Sequence, residues 1–206
     1  MLFPYALKAL PGFLAQNWTS EEFAPVLRSF TPEAAASPES LVAHVEALTA
    51  QNVKLPALKN LQGILWRAGY EAGEIVAPLY DDVLPALQAW AKKGLLVDVY
   101  SSGSVEAQEL FFAYTNVGDV RGFFGAFFDT VSAGGKMDAA SYAKVAHIAE
   151  IPVGEWLFLS DNVKEVEAAQ EAGMKTAIIV REGNTALTKE DRIKHWVITN
   201  GFGELS

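Results

Sequence analysis

Apolar positions follow two rhythms along the chain, and the change between them falls near residue 78. Before it the spacing is helical. Leu58, Leu61, Leu65, Ala68 and Ala72 recur at steps of three and four, and Trp66 and Tyr70 widen the apolar face. Thr19-Ser20-Glu21-Glu22 and Ser37-Pro38-Glu39-Ser40 each set a capping hydroxyl ahead of first-turn acids. No run in this part alternates as a strand does. After residue 78 strands and helices take turns. VLPALQAWAKK predicts a helix that stops at Gly94, which takes the position just past the helix end. Residues 95–100, LLVDVY, are apolar in a near-continuous run, the mark of a parallel strand buried on both faces. A helix over 105–112 follows. Further strands are expected at 127–131, 155–161, 175–180 and 196–199, with helices at 139–149 and 163–172, the latter closed by Gly173. This alternation predicts an α/β fold with a doubly wound parallel sheet. Residues 1–78 are then a helical cap and 79–206 the α/β core.

Composition narrows the partners. Net charge is −9 and no Lys/Arg block exists, which argues against nucleic acid or an anionic membrane surface. No apolar run approaches the roughly 18 residues of a membrane span, and MLFPYALKALPGFL lacks the basic start of a signal peptide. Cysteine is absent, which excludes disulfides and thiolate chemistry and fits an intracellular protein. An apolar opening of Leu2-Phe3-Pro4-Tyr5 reads as a chain that begins partway through a fold.

Chemistry gathers at the carboxyl ends of the expected strands, where open α/β sheets bind ligands. Ser101, Ser102, Gly103 and Ser104 join a strand to a helix N-terminus, whose unpaired N–H groups and dipole favour an anion. The plainer account is a single N-cap serine. Gly134-Gly135-Lys136 delivers an ammonium just before a helix capped by Asp138 or Ser141, although most lysines are merely solvated. A phosphate seated against the 102–104 N–H groups would then lie within reach of Lys136. Asn162 and Glu165 have the spacing of a capping box. Asp161 ends the strand before them and is either a redundant cap or a ligand for a hard cation such as Mg2+. Hydroxyl, lysine and acid in this order point to phosphate chemistry.

These motifs resemble, in order, those of the haloacid dehalogenase-like phosphatases. LKNLQGILWRAGYEAGEIVAPLYDDVLPALQAW followed by VYSSGSVEAQELFF more closely resembles the enolase-phosphatases (acireductone synthases) of methionine salvage. FFDT, GGK, FLSDNVKEVEAAQEAG and VREGN continue the likeness to near residue 190. The resemblance implies an enzyme that enolises 2,3-diketo-5-methylthiopentyl-1-phosphate, a small phosphorylated diketone, and removes its phosphate to give acireductone. It implies that Ser101 and Ser102 bind substrate, Lys136 offsets phosphoryl charge, Asp161 ligates Mg2+ and Glu165 is the second acid of that motif. The resemblance also implies a monomer that is cytoplasmic, with the nucleus as a second location.

One family motif is missing. The family's first strand ends in Asp-x-Glu-Gly-Thr-Thr and supplies the aspartate that attacks phosphorus, yet no such run occurs in this sequence. Asp81, Asp82, Asp98, Asp119 and Asp129 are read as lacking both the strand-end position and the turn after it. The first expectation is a family member whose nucleophile strand lies before Met1. The alternatives are an inactive short form that binds or regulates, and a different phosphatase or dehalogenase of the superfamily. The strands ending near Ser101 and Asp161 would flank the missing one across a slot of about 10 Å. That slot either stays open, with unpaired edges, or closes by direct pairing.

Overall fold

A computed structural model of the protein describes residues 2–53 and 55–205. The chain divides into two compact units, Met1–Val76 and Ala77–Ser206. The α-helices of the first, among the described residues, are α1 Leu2–Asn17, α2 Ala24–Leu27, α3 Pro38–Ala50 and α4 Pro56–Glu71. Their apolar stripes meet in a core of Leu10, Leu14, Leu41, Val45, Leu58, Leu61 and Leu65, all essentially without solvent contact. Ser37 caps α3 by accepting from the Ser40 N–H. The Thr19–Glu22 cap is not formed as expected. Ser20 Oγ accepts from Phe23 N, the chain turns there, and the helix that follows is a single turn entered through buried Phe23. Burying that ring outweighs extending a helix through first-turn acids.

The second unit alternates helix and strand. Helix α5 Val83–Lys92 ends at Gly94, whose φ of +73° is the left-handed geometry expected of it. Then come β1 Val99–Tyr100, α6 Val105–Ala113, β2 Phe127–Phe128, α7 Ala139–Ile148, β3 Leu157–Ser160, α8 Val163–Glu171, β4 Lys175–Ile179, α9 Lys189–Lys194 and β5 Val197–Ile198. Every ladder is parallel, as the α/β reading requires. They form two separate sheets, β1-β2 and β3-β4-β5. Strands β1 and β3 each pair on one edge only among the described residues. Among the described residues β1 and β3 do not pair with each other, so the closure by direct pairing is not formed.

The open edges shorten the strands. The expected strand 95–100 is reduced to two residues, and Leu95 and Leu96 stand 54% and 74% exposed instead of buried. Asp98 takes part of the ladder's place, its Oδ1 accepting from Ala126 N at 2.8 Å. Burial pushes that carboxyl above its ordinary value, and the hydrogen bond from Ala126 only partly offsets it. The strand expected over 127–131 ends at Phe128, because the Asp129 carboxylate pulls the next residues into a turn.

One buried ring stands behind both edges. Tyr142 on α7 is 1% exposed, and its ring packs edge-on against Tyr100 of β1 at 5.5 Å and Phe158 of β3 at 4.9 Å. The open edge has a direct readout in hydrogen exchange. Val99 N and Ser101 N donate to Ala126 O and Phe128 O of the β2 segment, so the Tyr100 N–H between them points the other way. In the 206-residue chain the Tyr100 amide is expected to exchange at least tenfold faster than its two neighbours. Equal protection of all three would mean that β1 has a second partner.

Candidate functional site

The loop after β1 is wired to β2 before any ligand arrives. Ser101 Oγ accepts from Gly103 N at 3.1 Å, and Ser104 caps α6 by accepting from Ala107 N. Asp129 Oδ2 accepts from Val105 N at 3.3 Å. Gln108, only 6% exposed, donates through Nε2 to Gly103 O at 3.0 Å and to Phe128 O at 2.9 Å. The expectation that all of the 102–104 amides face an anion is therefore too broad, since Gly103 N–H is spent on Ser101. Among the described residues, the Ser102 and Ser104 amides and the Ser102 hydroxyl have no protein acceptor.

Asp129 corrects another expectation. It does sit at a strand end and it does open a turn. Its carboxylate, however, accepts from Val105, Val131 and Ser132 N–H. Burial alone would push its carboxyl above the ordinary value, yet the hydrogen bonds from Ser132, Val105 and Val131 outweigh burial and hold it below the usual carboxylate range. A carboxylate so committed is a structural anion, not an available nucleophile.

Lys136 is far from a solvated surface lysine. Tyr100 OH donates to Gly134 O and Tyr142 OH donates to Lys136 O, both at 2.7 Å, so two tyrosines fix the loop at each end. Burial, the nearby Glu165 charge and Tyr100 push the Tyr142 hydroxyl well above its ordinary value, which keeps it a donor. The Lys136 ammonium meets Glu165 Oε2 at 2.6 Å and lies 5.8 Å from the Tyr100 ring and 6.0 Å from the Phe158 ring. Its side chain is 18% exposed and that of Glu165 13%. The expected Asn162–Glu165 capping box is not formed. Asn162 still caps α8 by accepting from Lys164 N, but its own N–H donates to Ser160 Oγ, which in turn donates to Glu165 Oε2 at 2.8 Å. Glu165 is thus the counter-ion of Lys136, a long-range partner that outbids the local cap.

Asp161 follows β3 and is exposed. Its Oδ2 accepts from Asn184 Nδ2 at 2.8 Å, while Asn184 Oδ1 accepts from Arg181 N at 2.6 Å. Among the described residues no group of three or more His, Cys, Asp or Glu side chains converges as a metal cage. The donor chemistry nonetheless fits a hard divalent cation. Such ions keep several waters and take one or two carboxylates, and Asp161 has a second oxygen left to offer. Gln108, Asn184, Tyr100 and Tyr142 went unassigned in the sequence, although VREGN already contains Asn184.

Comparison with known proteins follows the same lines. A family model described as haloacid dehalogenase-like hydrolase matches residues 8–173. An enolase-phosphatase E1 of Neurospora crassa is 53% identical, over 96% of this chain and 86% of its own length. One from Botryotinia fuckeliana is 48% identical over 100% of this chain and 86% of its own. The chain belongs to the enolase-phosphatase family of haloacid dehalogenase-like hydrolases. Among solved structures, the UTR4 protein of Saccharomyces cerevisiae matches with a TM-score of 0.85 at 35% identity, over 97% of this chain and 89% of that one. CbbY of Rhodobacter sphaeroides, crystallised with phosphate, shares the fold at a TM-score of 0.62 and 16% identity, over 98% of this chain and 89% of that one. As a family member the protein is a phosphatase-type hydrolase, and the family as a whole uses a divalent metal. Among the described residues no helix is long and apolar enough to cross a membrane.

The loop that carries Lys136 is vulnerable at one glycine. Gly134 has φ of +118°, and a Cβ there would lie 2.4 Å from Ser141 Oγ, a short and buried side chain. Gly134→Ala is expected to lower stability by about 1–3 kcal/mol in urea denaturation. Gly135→Ala, with nothing within 4 Å of the new Cβ, serves as the control and should change it little.

Proposed function

We propose that the protein acts in methionine salvage as an enolase-phosphatase, converting 2,3-diketo-5-methylthiopentyl-1-phosphate to acireductone and inorganic phosphate, with Mg2+ as its metal. The observation that carries this reading is the mostly buried Lys136–Glu165 pair, whose ammonium lies near the rings of both Tyr100, the residue before the serine loop, and Phe158. An ammonium has three donors. One is held by Glu165 and the others remain for phosphate oxygens, and the Ser102 hydroxyl and the Ser102 and Ser104 amides, which have no protein acceptor among the described residues, would supply further donors. Ser101 acts mainly through its hydroxyl on Gly103, keeping the loop in shape for the substrate. Asp161 would hold the metal, which when bound offsets phosphoryl charge that one lysine cannot offset alone. Lys136 works in the same direction and is fixed in advance, so little reorganisation accompanies the reaction.

Attack on phosphorus needs a carboxylate that is not already engaged. Asp129 is engaged by three backbone N–H groups, and Glu165 by Lys136 and Ser160. The attacking aspartate, and the glutamate two residues on, are therefore assigned to an extended segment seated between the open edges of β1 and β3. The same two engaged carboxylates favour a second reading, in which the 206-residue chain binds a phosphorylated ligand without hydrolysing it.

Phosphate release from the diketone phosphate separates the readings. The 206-residue chain is expected to stay at background, and a chain extended by a strand ending in Asp-x-Glu-Gly-Thr-Thr to turn over. In the extended enzyme, Lys136→Met and Asp161→Asn should each lower turnover by about 100-fold or more. Robust release by the 206-residue chain, abolished by Asp161→Ala, would overturn this assignment of the nucleophile.

A further inference from the structure

The loop after β4 is built around Asp161, and its parts divide the work. At its root, the Arg181 guanidinium is clamped between two rings, 4.6 Å from the centre of Tyr80 and 4.9 Å from that of Phe202, and pairs with Asp82 at 2.7 Å. Asp82 also accepts from Phe202 N at 2.7 Å. Burial would raise the Asp82 carboxyl, but the hydrogen bonds from Arg181 and Phe202 outweigh it, so the anchor is ionised. At the loop's far end, Asn184 uses both ends of its amide, accepting from Arg181 N and donating to Asp161 Oδ2. Because each end has one partner, the amide orientation is determined by the bonds it makes.

We propose that Asn184 is a positioning residue for Asp161: it holds one carboxylate oxygen so that the other is presented to a divalent cation, with Arg181 anchoring the loop. The inference rests on the reading of Asp161 as the cation's ligand. Three features support it. Asp161 is exposed, and no other side chain is recorded on its carboxylate among the described residues, so Asn184 is what limits its rotation. The donor is neutral, which orders the carboxylate without cancelling the charge a cation needs. Two cations of the surrounding network are held by other carboxylates, Arg181 by Asp82 and Lys136 by Glu165. Partners of metal ligands that only orient them are worth about 10–100-fold in metal affinity.

The test uses the full chain and Mn2+ alone, with affinity read by electron paramagnetic resonance and stability by thermal unfolding. Asn184→Leu, close in volume but without donor or acceptor, should weaken Mn2+ binding about tenfold or more while the unfolding midpoint stays near that of the parent. Arg181→Lys, which keeps the charge but loses the ring clamp, should weaken it by a smaller factor. If Asp161→Ala weakens binding and Asn184→Leu does not, the positioning role is wrong and the Asp161 reading survives. If the parent binds no Mn2+, or Asp161→Ala leaves binding unchanged, the Asp161 reading fails and this inference falls with it. A metal-free measurement guards against a variant that misfolds. The Asn184 side-chain amide protons should exchange slowly with solvent in the parent and at least tenfold faster in Asp161→Ala. Fast exchange in the parent would overturn the proposal.

Discussion

The ion pair between Lys136 and Glu165 is the constraint on which the proposed phosphate site rests. Both side chains are mostly buried, so neither charge is stable there without the other. Removing one partner of such a pair typically destabilises by about 3–5 kcal/mol, because the remaining charge is left unsolvated. Partial exposure puts this pair toward the lower end. The pair joins the loop before α7 to the first turn of α8, and Ser160 at the end of β3 fastens Glu165 in turn. Tyr100 and Tyr142 then fasten the carbonyls of Gly134 and Lys136. One ammonium is thereby set at a defined point near the rings of two strands that share no ladder among the described residues.

The rest of the site follows the same design, in which a polar side chain fixes a neighbour and leaves a chosen atom uncommitted. Gln108 ties the serine loop to β2 through two backbone carbonyls and leaves Ser102 to face outward. Asp129 quiets the start of α6 and is itself used up in doing so. Asn184 holds one oxygen of Asp161. Each device is cheap in sequence and reaches across elements. The cost is carried by the strands: with one edge of β1 and one of β3 unpaired among the described residues, the ladder is short and Leu96 lies in solvent.

How much of this could be read in the sequence depended on range. The alternation of helix and strand, the helical first unit and the turn at Gly94 all follow from local pattern, and the structure has them. Ser101 and Asp161 stand out because they follow apolar strands at their ends, and Lys136 because it follows two glycines just before a helix, equally local signals. The capping box failed because a lysine twenty-nine positions earlier competes for Glu165. The strand at 95–100 was overlong because an apolar run says nothing about whether a neighbour is there to pair with it. Asn184 was hidden for a similar reason, since its partner lies 23 residues away and Arg181 meets Asp82 across 99. Contacts at that separation leave no periodicity to detect.

Titration of the isotope-labelled chain with inorganic phosphate, followed residue by residue by NMR, tests the central claim most directly. The account predicts that the Ser102 and Ser104 amides and the Lys136 side chain shift together along one saturable curve, and that Lys136→Met abolishes it. Shifts that gather instead around Arg121 or Arg181, with the serine loop and Lys136 unmoved, would contradict it.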